Sequence, residues 1–313
     1  MKAITTQGYG DVSTLQLDNI DKPTISENEI LVKISAFSVN PVDWKIRSGK
    51  LKIKTGAKPP LVLGSDFAGE VIERGKNISE FSINDKVWGK VDSFKGGAYA
   101  EYIKVKPNNI TKIPNSLDYV QTASIPNVGL TAYQALFKQA KLKEQSRVLI
   151  NGASGGVGIM AVQIAKAYDC HVTAVCSAKN SAFVKTLGAD VVLDYNKQDI
   201  LKDNDSYHVF FDSVANQSLL KVKHTLKKGG AYVRTAPNLE TLLLSPILKL
   251  FTGKSSKHIM VQPNSSDLLE LKTLIESKKL VPVVEKTFAF EDIAQAHTLS
   301  ESGRVVGKIV ITF

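Results

Sequence analysis

Six consecutive residues, Ala153, Ser154, Gly155, Gly156, Val157 and Gly158, are spaced to hold a pyrophosphate. They form an A-x-G-x-x-G variant of the glycine pattern found where a dinucleotide meets a helix start. Gly155 lets the backbone approach a diphosphate, and Gly158 lets the helix pack closely on the preceding strand. The helix start itself offers unpaired N–H groups and the positive end of its dipole. The plainer reading of such glycines is a tight turn between strand and helix. Downstream, Ala174-Val-Cys-Ser177-Ala-Lys179-Asn180 lacks the Asp or Glu with which NAD-selective sites bind ribose hydroxyls. A carboxylate there would repel a 2′-phosphate, whereas Ser177 can hydrogen-bond to it and Lys179 can neutralise it. A helix cap is the alternative for Ser177, and a solvated surface charge for Lys179. The missing acid favours NADPH.

A glycine turn of this kind works only between a strand and a helix, and the flanking sequence supplies both. From Arg147 onward, apolar runs at Val148–Ile150, Val172–Cys176, Val191–Leu193, Val209–Phe211 and Ala231–Thr235 read as strands. Ile159–Tyr168, Ala178–Leu187 and Gln217–Leu226 read as intervening helices, the last stopped by Lys227-Lys-Gly-Gly230. This alternation predicts a parallel, doubly wound sheet, an α/β domain. Before it, residues 1–117 read as short strands at Ile30–Ser35, Asp66–Ile72, Asp85–Gly89, Tyr99–Val105 and Ile110–Pro114. The glycines between them suit a bent, barrel-like antiparallel region. A helix is expected over Leu117–Gln139, capped by Asn115 or Ser116 and interrupted near Pro126-Asn-Val-Gly129. After the alternating region, Asp267–Lys278 and Glu291–Ser300 read as helices. Gly307–Phe313 is an apolar strand that can return to the N-terminal domain.

The chain has 313 residues, enough for two domains with substantial cores. Its N-terminus has no apolar run typical of a signal peptide, and no apolar stretch reaches bilayer-spanning length. A cytoplasmic location is the simplest expectation. Cys170 and Cys176 are the only cysteines, so there is no disulfide framework and no four-cysteine zinc lobe; their spacing is not Cys-x-x-Cys, which favours packing over redox work. The formal charge of +10 leaves room for anionic partners, but the lysines are scattered without basic blocks. No nucleic-acid partner and no stable membrane insertion are expected. Thr241–Phe251 is apolar, broken by Pro246, and reads as a helix packed over the active site or an interface; a membrane contact is the less favoured alternative.

Several further segments resemble the medium-chain dehydrogenase/reductase superfamily along the whole chain. They are Asn40-Pro-Val-Asp-Trp-Lys45, Leu63-Gly-Ser-Asp-Phe-Ala-Gly-Glu-Val71, Ala98-Tyr-Ala-Glu-Tyr102 and Gly129-Leu-Thr-Ala132. With them go the glycine turn, Leu187-Gly-Ala-Asp190, Asp194-Tyr195 and the terminal Gly307-Lys308. Within the superfamily the chain is similar to the zinc-free quinone oxidoreductase branch, including plant-type NADPH enone and chloroplast-envelope quinone oxidoreductases. The resemblance implies a GroES-like catalytic domain over residues 1–120, a Rossmann domain over 121–260, and a return to the catalytic domain over 261–313. It also implies a homodimer, formed through the Rossmann sheet edge near Ala231–Thr235. Tyr195 matches a tyrosine that related NADPH enzymes use, with a packed core tyrosine as its alternative. Asn127, Thr131 and Val214 match positions near the cofactor, and Gly307 and Lys308 are grouped with them. Thr131 could instead make a bond inside its helix, and Val214 could be an ordinary strand end.

Zinc members of the superfamily hold a catalytic metal through positions that match Asn40, Ser65 and Asn127. Two amides and a hydroxyl cannot replace thiolates and imidazole as strong zinc ligands, so no metal site is expected. Without a metal, hydride would pass to an acceptor that is already electrophilic, a quinone or an α,β-unsaturated carbonyl. The chain must then orient that acceptor and stabilise its developing oxyanion. Asn40 can donate to a carbonyl oxygen. Lys45, which matches a lysine of related enone reductases, could stabilise the oxyanion or assist protonation, and Asp43 completes the candidate catalytic group. A solvent-facing lysine and a helix cap are the alternatives for Lys45 and Asp43. Within enzymes the rival is an enoyl-thioester reductase. Outside them it is a non-catalytic NADPH-binding protein with a membrane or nucleic-acid role.

Overall fold

The computed structural model describes residues 1–56 and 58–313. The chain divides into two compact units. Residues 1–127, 262–276 and 282–313 form the first, and residues 128–261 and 277–281 form the second.

In the first unit, β1 (Lys2–Thr6), β2 (Leu15–Asn19) and β4 (Leu61–Val62) make a small sheet around β1. The main sheet is organised around β3 (Ile30–Val39). It pairs antiparallel with β5 (Asp66–Arg74), β7 (Tyr102–Val105) and β16 (Lys308–Thr312). Beyond these lie β6 (Lys86–Lys90) and β8 (Ile110–Lys112) on one side and β15 (Val284–Ala289) on the other. The β3 sequence explains its central place. Only Lys33 is exposed in the run Ile-Leu-Val-Lys-Ile-Ser-Ala-Phe-Ser-Val, so both faces are covered. The close approach of β5 requires Gly69, where a Cβ would stand 2.0 Å from the Lys33 carbonyl oxygen. The expected return of the C-terminus is realised by β16, which pairs antiparallel with β3 and parallel with β15. Phe37, Phe67, Tyr99 and Phe290 are among the large buried side chains of this core.

Short helices connect these strands: α1 (Pro41–Arg47), α2 (Lys52–Thr55) and α3 (Tyr119–Ala123), with α9 (Ser265–Glu276) and α10 (Ile293–Glu301) later. The cap of α3 differs from expectation. Asp118, rather than Asn115 or Ser116, accepts from the Gln121 N–H, and Gln121 returns a bond to the Asp118 backbone. That reciprocal pair satisfies two donors at the helix start, which an isolated Ser or Asn further upstream cannot do. α4 (Pro126–Tyr133) then continues as a π-helical turn over Gln134–Gln139.

The second unit is a parallel sheet in the order β11-β10-β9-β12-β13-β14. These strands are β9 (Arg147–Asn151), β10 (His171–Cys176), β11 (Val191–Asp194), β12 (Tyr207–Asp212), β13 (Leu226–Arg234) and β14 (Ser255–His258). The order reverses between β9 and β12, the topological switch point of a doubly wound fold. α5 (Gly156–Ala167) packs on this sheet with Gly158–Ala165 buried continuously, as its nearly unbroken apolar sequence requires.

Four expectations need correction here. The region 178–187 splits into a 3₁₀ turn and α6 (Ser181–Thr186), and the helix expected over Gln217–Leu226 shrinks to α7 (Leu219–Val222). Lys227–Gly230 is no helix stop: it lies in β13, where the β12 register shifts and Gly229 takes φ +77°. Ala231–Thr235 is not the sheet edge either, because β14 pairs outside β13. Ser-Ser-Lys-His has no apolar alternation, so nothing in its sequence marks a strand.

α8 (Leu239–Thr252) follows β13. Leu244 and Leu248 pack inward, while Leu239, Leu242, Leu243, Ile247, Leu250 and Phe251 are exposed. Among the described residues, no helix is long and apolar enough to cross a membrane.

Candidate active site

In the first unit, chain direction changes where β3 ends and α1 begins. Asn40 occupies the cap, Pro41 the first helical position, and Asp43 accepts the Asn40 N–H at 2.8 Å. Proline there loses nothing, because that N–H would have no helical partner. The Asn40 side chain is fully buried and its amide has one orientation. Nδ2 donates to Asp66 Oδ2 at 2.9 Å, while Oδ1 accepts from Asn127 Nδ2 at 3.0 Å and Lys308 Nζ at 2.7 Å. Lys308 also donates to the Val39 carbonyl at 2.8 Å and lies 3.8 Å from Asp66 Oδ2. Ser38 donates to the same carboxylate oxygen at 2.7 Å. A second buried lysine, Lys90, donates to Val91 O and to Ser93 Oγ, which reaches Ser65 Oγ at 3.3 Å. Burial pushes the pKa values of Lys90 and Lys308 down, against the raising influence of Asp66 and Asp43.

Asp43 begins a second buried chain. Tyr99 Oη donates to its carboxylate at 2.9 Å and lies 3.1 Å from His297 Nε2. Burial raises the Asp43 pKa to about 6, opposed by the bonds from Asn40 and Tyr99. Burial, then the Arg47 charge, lowers that of His297 to about 3, so its imidazole is neutral near pH 7. With Tyr99 donating to Asp43, the consistent tautomer carries its proton on Nε2, donating to Tyr99. Arg47 pairs with Glu301.

Lys45 lies on α1 outside these networks. Its ammonium and that of Lys50 stand 5.4 and 5.2 Å from the Trp44 ring centroid. The side chain is exposed, yet neighbouring chain still removes part of the hydration of its ammonium. That partial burial and the charge of Lys50 lower its pKa. Asn40, Asp43, Asn127 and Lys308 are therefore joined, and Lys45 stands apart from them. The sequence gives no site role to Asp66, Lys90, Tyr99 or His297, although Asp66 and Tyr99 lie in the family-like segments Leu63–Val71 and Ala98–Tyr102.

In the second unit, the six-residue turn sits between β9 and α5, at the sheet's switch point. Gly152, just ahead of the recognised motif, turns the chain at φ +80°, and a Cβ there would meet Ser213 Oγ and Val214 Cγ2 at 2.6 Å each. A Cβ on Gly158 would stand 2.1 Å from the Gly152 carbonyl, so packing dictates that glycine. Gly155 is different. It caps α5 at φ −80°, and the nearest atom to an added Cβ, Gly152 O, is 3.5 Å away. Neither backbone strain nor internal packing requires a glycine there, and the chain leaves open space at the start of α5. Gly156 and Val157 open α5, and Ser154 Oγ accepts from Asn180 Nδ2 at 3.0 Å, tying the turn to the end of β10.

Buried Asp212 fixes the neighbouring turn, accepting from Asn151 Nδ2, the Ala215 and Gln217 N–H groups and Tyr232 Oη. This holds Val214 half exposed beside Gly152. At the end of β10, Ser177 precedes a 3₁₀ turn without making a side-chain cap bond, and Lys179 is exposed. Tyr195 is 57% exposed and is no core tyrosine. Thr131 is buried within α4. Gly307, at φ +83°, precedes β16, while Asn127 and Lys308 belong to the Asn40 network of the first unit.

Comparison with known proteins places this pair of units. An alcohol dehydrogenase GroES-like domain model matches residues 26–115, and a zinc-binding dehydrogenase model matches residues 187–311. The mitochondrial NAD(P)H oxidoreductase RTN4IP1 of Bos taurus is 35% identical over 99% of this chain and 89% of its own length. A 2-methylene-furan-3-one reductase of Solanum lycopersicum is 32% identical over 99% of this chain and 79% of its own. The structure of a quinone oxidoreductase from Coxiella burnetii superposes with a TM-score of 0.91 at 32% identity, covering 100% of this chain and 99% of that one. The chain belongs to the medium-chain dehydrogenase/reductase superfamily. Within it, the chain falls in the quinone oxidoreductase branch.

The zinc named by one family model does not fit the residues present. Asn40, Ser65 and Asn127 offer two carboxamides and a hydroxyl, and the Lys308 ammonium already lies 2.7 Å from the Asn40 oxygen. A divalent ion there would meet the Lys308 side chain hydrogen-bonded to the Asn40 oxygen, without a thiolate or imidazole to hold it. The residues of the second unit are compatible with a nicotinamide cofactor, since the start of α5 leaves open space at Gly155.

Proposed function

We propose that this NAD(P)H-dependent oxidoreductase uses NADPH and reduces quinones or α,β-unsaturated carbonyls without zinc. Gly155 carries the reading: a glycine that the fold does not need, at the start of a helix whose N–H groups point outward. Ser177, uncapped, and exposed Lys179 and Tyr195 support a 2′-phosphate, and no carboxylate follows β10 to oppose it. NADPH supplies a hydride when bound. Of the chain's own residues, Ser154–Gly158 hold the diphosphate and Ser177 and Lys179 select the phosphorylated ribose. Lys45 stabilises or protonates the acceptor oxygen; its lowered pKa makes its ammonium a readier acid than an ordinary lysine. Asn40 is a positioning residue, since its amide is buried and committed. The names of the Coxiella and tomato relatives support quinone and enone acceptors respectively.

The test is NADPH oxidation, followed by absorbance, against quinones, short enones and a crotonyl thioester in the presence of chelator. Chelator-resistant turnover of quinones or enones, faster with NADPH than NADH, is expected. Zinc-dependent turnover confined to alcohols would overturn the reading, and turnover confined to the thioester would replace it with enoyl-thioester reduction.

A further inference from the structure

Lys308 enters the first unit from β16 and ends against the residues that match the metal positions of zinc members. Its ammonium donates to Val39 O and Asn40 Oδ1, with Asp66 Oδ2 3.8 Å away. These contacts decide which way the Asn40 amide points. Rotating that amide by half a turn would set Nδ2 against the ammonium and Oδ1 against the Asp66 carboxylate, replacing two attractions by two repulsions. With the amide held, Oδ1 also receives Asn127 Nδ2 and so orients the second amide. Simple neutralisation of Asp66 would not need this arrangement, because buried Lys90 already exerts a favourable charge interaction on Asp66. Lys90 spends its hydrogen bonds on Val91 and Ser93, whereas Lys308 spends one on the amide.

We propose that Lys308 is a built-in cation in the metal's place: a positioning residue that locks the Asn40–Asn127 amide pair for the acceptor and keeps divalent metal off Asn40, Ser65 and Asn127. The acceptor part rests on the reductase reading, while the metal-exclusion part stands without it.

The full chain is compared with Lys308→Met and with Lys308→Met/Asp66→Asn. Thermal stability, NADPH dissociation constant, and kcat and KM for an acceptor that the wild type reduces are measured. Lys308→Met should lose stability, because it leaves Asp66 with one cation fewer; the double variant should regain it. Measured at saturating NADPH, so that any change in cofactor affinity is separated out, both should lose kcat by about tenfold or more through a misplaced amide pair. If the double variant regains turnover together with stability, Lys308 is merely a counter-ion and the proposal fails. If the single variant does not fold, the double variant alone decides this arm.

A second arm places zinc ligands at the matched positions through Asn40→Cys, Ser65→His and Asn127→Cys, with Lys308 retained or changed to Met. Zinc affinity is read by competition with a chromogenic chelator. Removing Lys308 should raise it about 10- to 100-fold; equal affinities would overturn metal exclusion. Should the wild type reduce no acceptor, the reductase reading fails and this second arm still judges Lys308.

Discussion

Gly155 and Gly158 stand three residues apart in one motif, yet alanine should affect them in opposite ways. At Gly158 the added Cβ would approach Gly152 O at 2.1 Å, Ala153 Cα at 2.6 Å and Gly152 C at 2.8 Å. All three are backbone atoms of the turn, so relief requires moving α5 away from β9. Overpacking of that kind costs about 3 kcal/mol or more. At Gly155 the nearest atom is 3.5 Å away and φ is −80°, so alanine fits the folded chain; its effect as a helix cap is within about 1 kcal/mol. The same methyl group would hold a diphosphate off the helix N–H groups. Losing one hydrogen bond to a charged partner costs ~1.5–3 kcal/mol, or about 10- to 150-fold in the NADPH dissociation constant. Thermal unfolding without cofactor and fluorescence titration with NADPH separate the two effects. Gly158→Ala should melt early, and Gly155→Ala should melt normally while binding poorly. Wild-type NADPH affinity in Gly155→Ala would refute the reasoning about the empty space there.

Placing a carboxylate beside the proposed phosphate site by Ser177→Asp should cut the NADPH-to-NADH ratio of kcat/KM about 100-fold, since facing like charges costs several kcal/mol. An unchanged ratio would move 2′-phosphate recognition away from β10. Lys45→Met should lower kcat about 100-fold, corresponding to ~3 kcal/mol for one oxyanion donor, with Lys45→Arg retaining more. A rise in KM alone would make Lys45 a binding residue. The buried titrating chain should give opposed pH slopes. The raised pKa of Asp43 favours the fold below its ordinary value of 3.8, and that advantage is lost as pH rises through about 6. The lowered pKa of His297 favours the fold above 6.5, and that advantage is lost as pH falls toward about 3. Between pH 6.5 and 5 the two contributions change by ~1–2 kcal/mol in opposite directions. His297→Gln should therefore gain stability on acidification and Asp43→Asn should lose it, as read by chemical unfolding at each pH; parallel slopes would contradict both assignments.

What the sequence made legible follows the physics of each unit. In the second unit, buried parallel strands read as apolar runs, and the glycine turn is contiguous in the sequence between β9 and α5, so its place in the fold follows the motif. Where a strand carries no apolar alternation, as in Ser255–His258, or where a glycine pair suits a bulge as well as a helix end, as at Gly229 and Gly230, the pattern misleads. Gly152 lies just outside the A-x-G-x-x-G pattern that begins at Ala153, so the pattern does not mark it, although its left-handed backbone sets the turn. In the first unit, Asn40, Asp66, Tyr99, His297 and Lys308 meet only because β3 pairs with β5 and β16 and α10 follows β15. No spacing along the chain expresses that convergence.

Asn40 shows what such convergence changes. As an isolated residue type it is a donor suited to a carbonyl oxygen. Buried between Asp66, Asn127 and Lys308, it has an orientation fixed by charge. The ability to donate thus belongs to the network, and an Asn40→Asp substitution tests it. Carboxylate oxygen would still receive Lys308 and Asn127, but would face Asp66 where an N–H had donated. Lost turnover with intact NADPH binding would follow from that single reversed contact, without any change in the number of groups that can accept from Lys308.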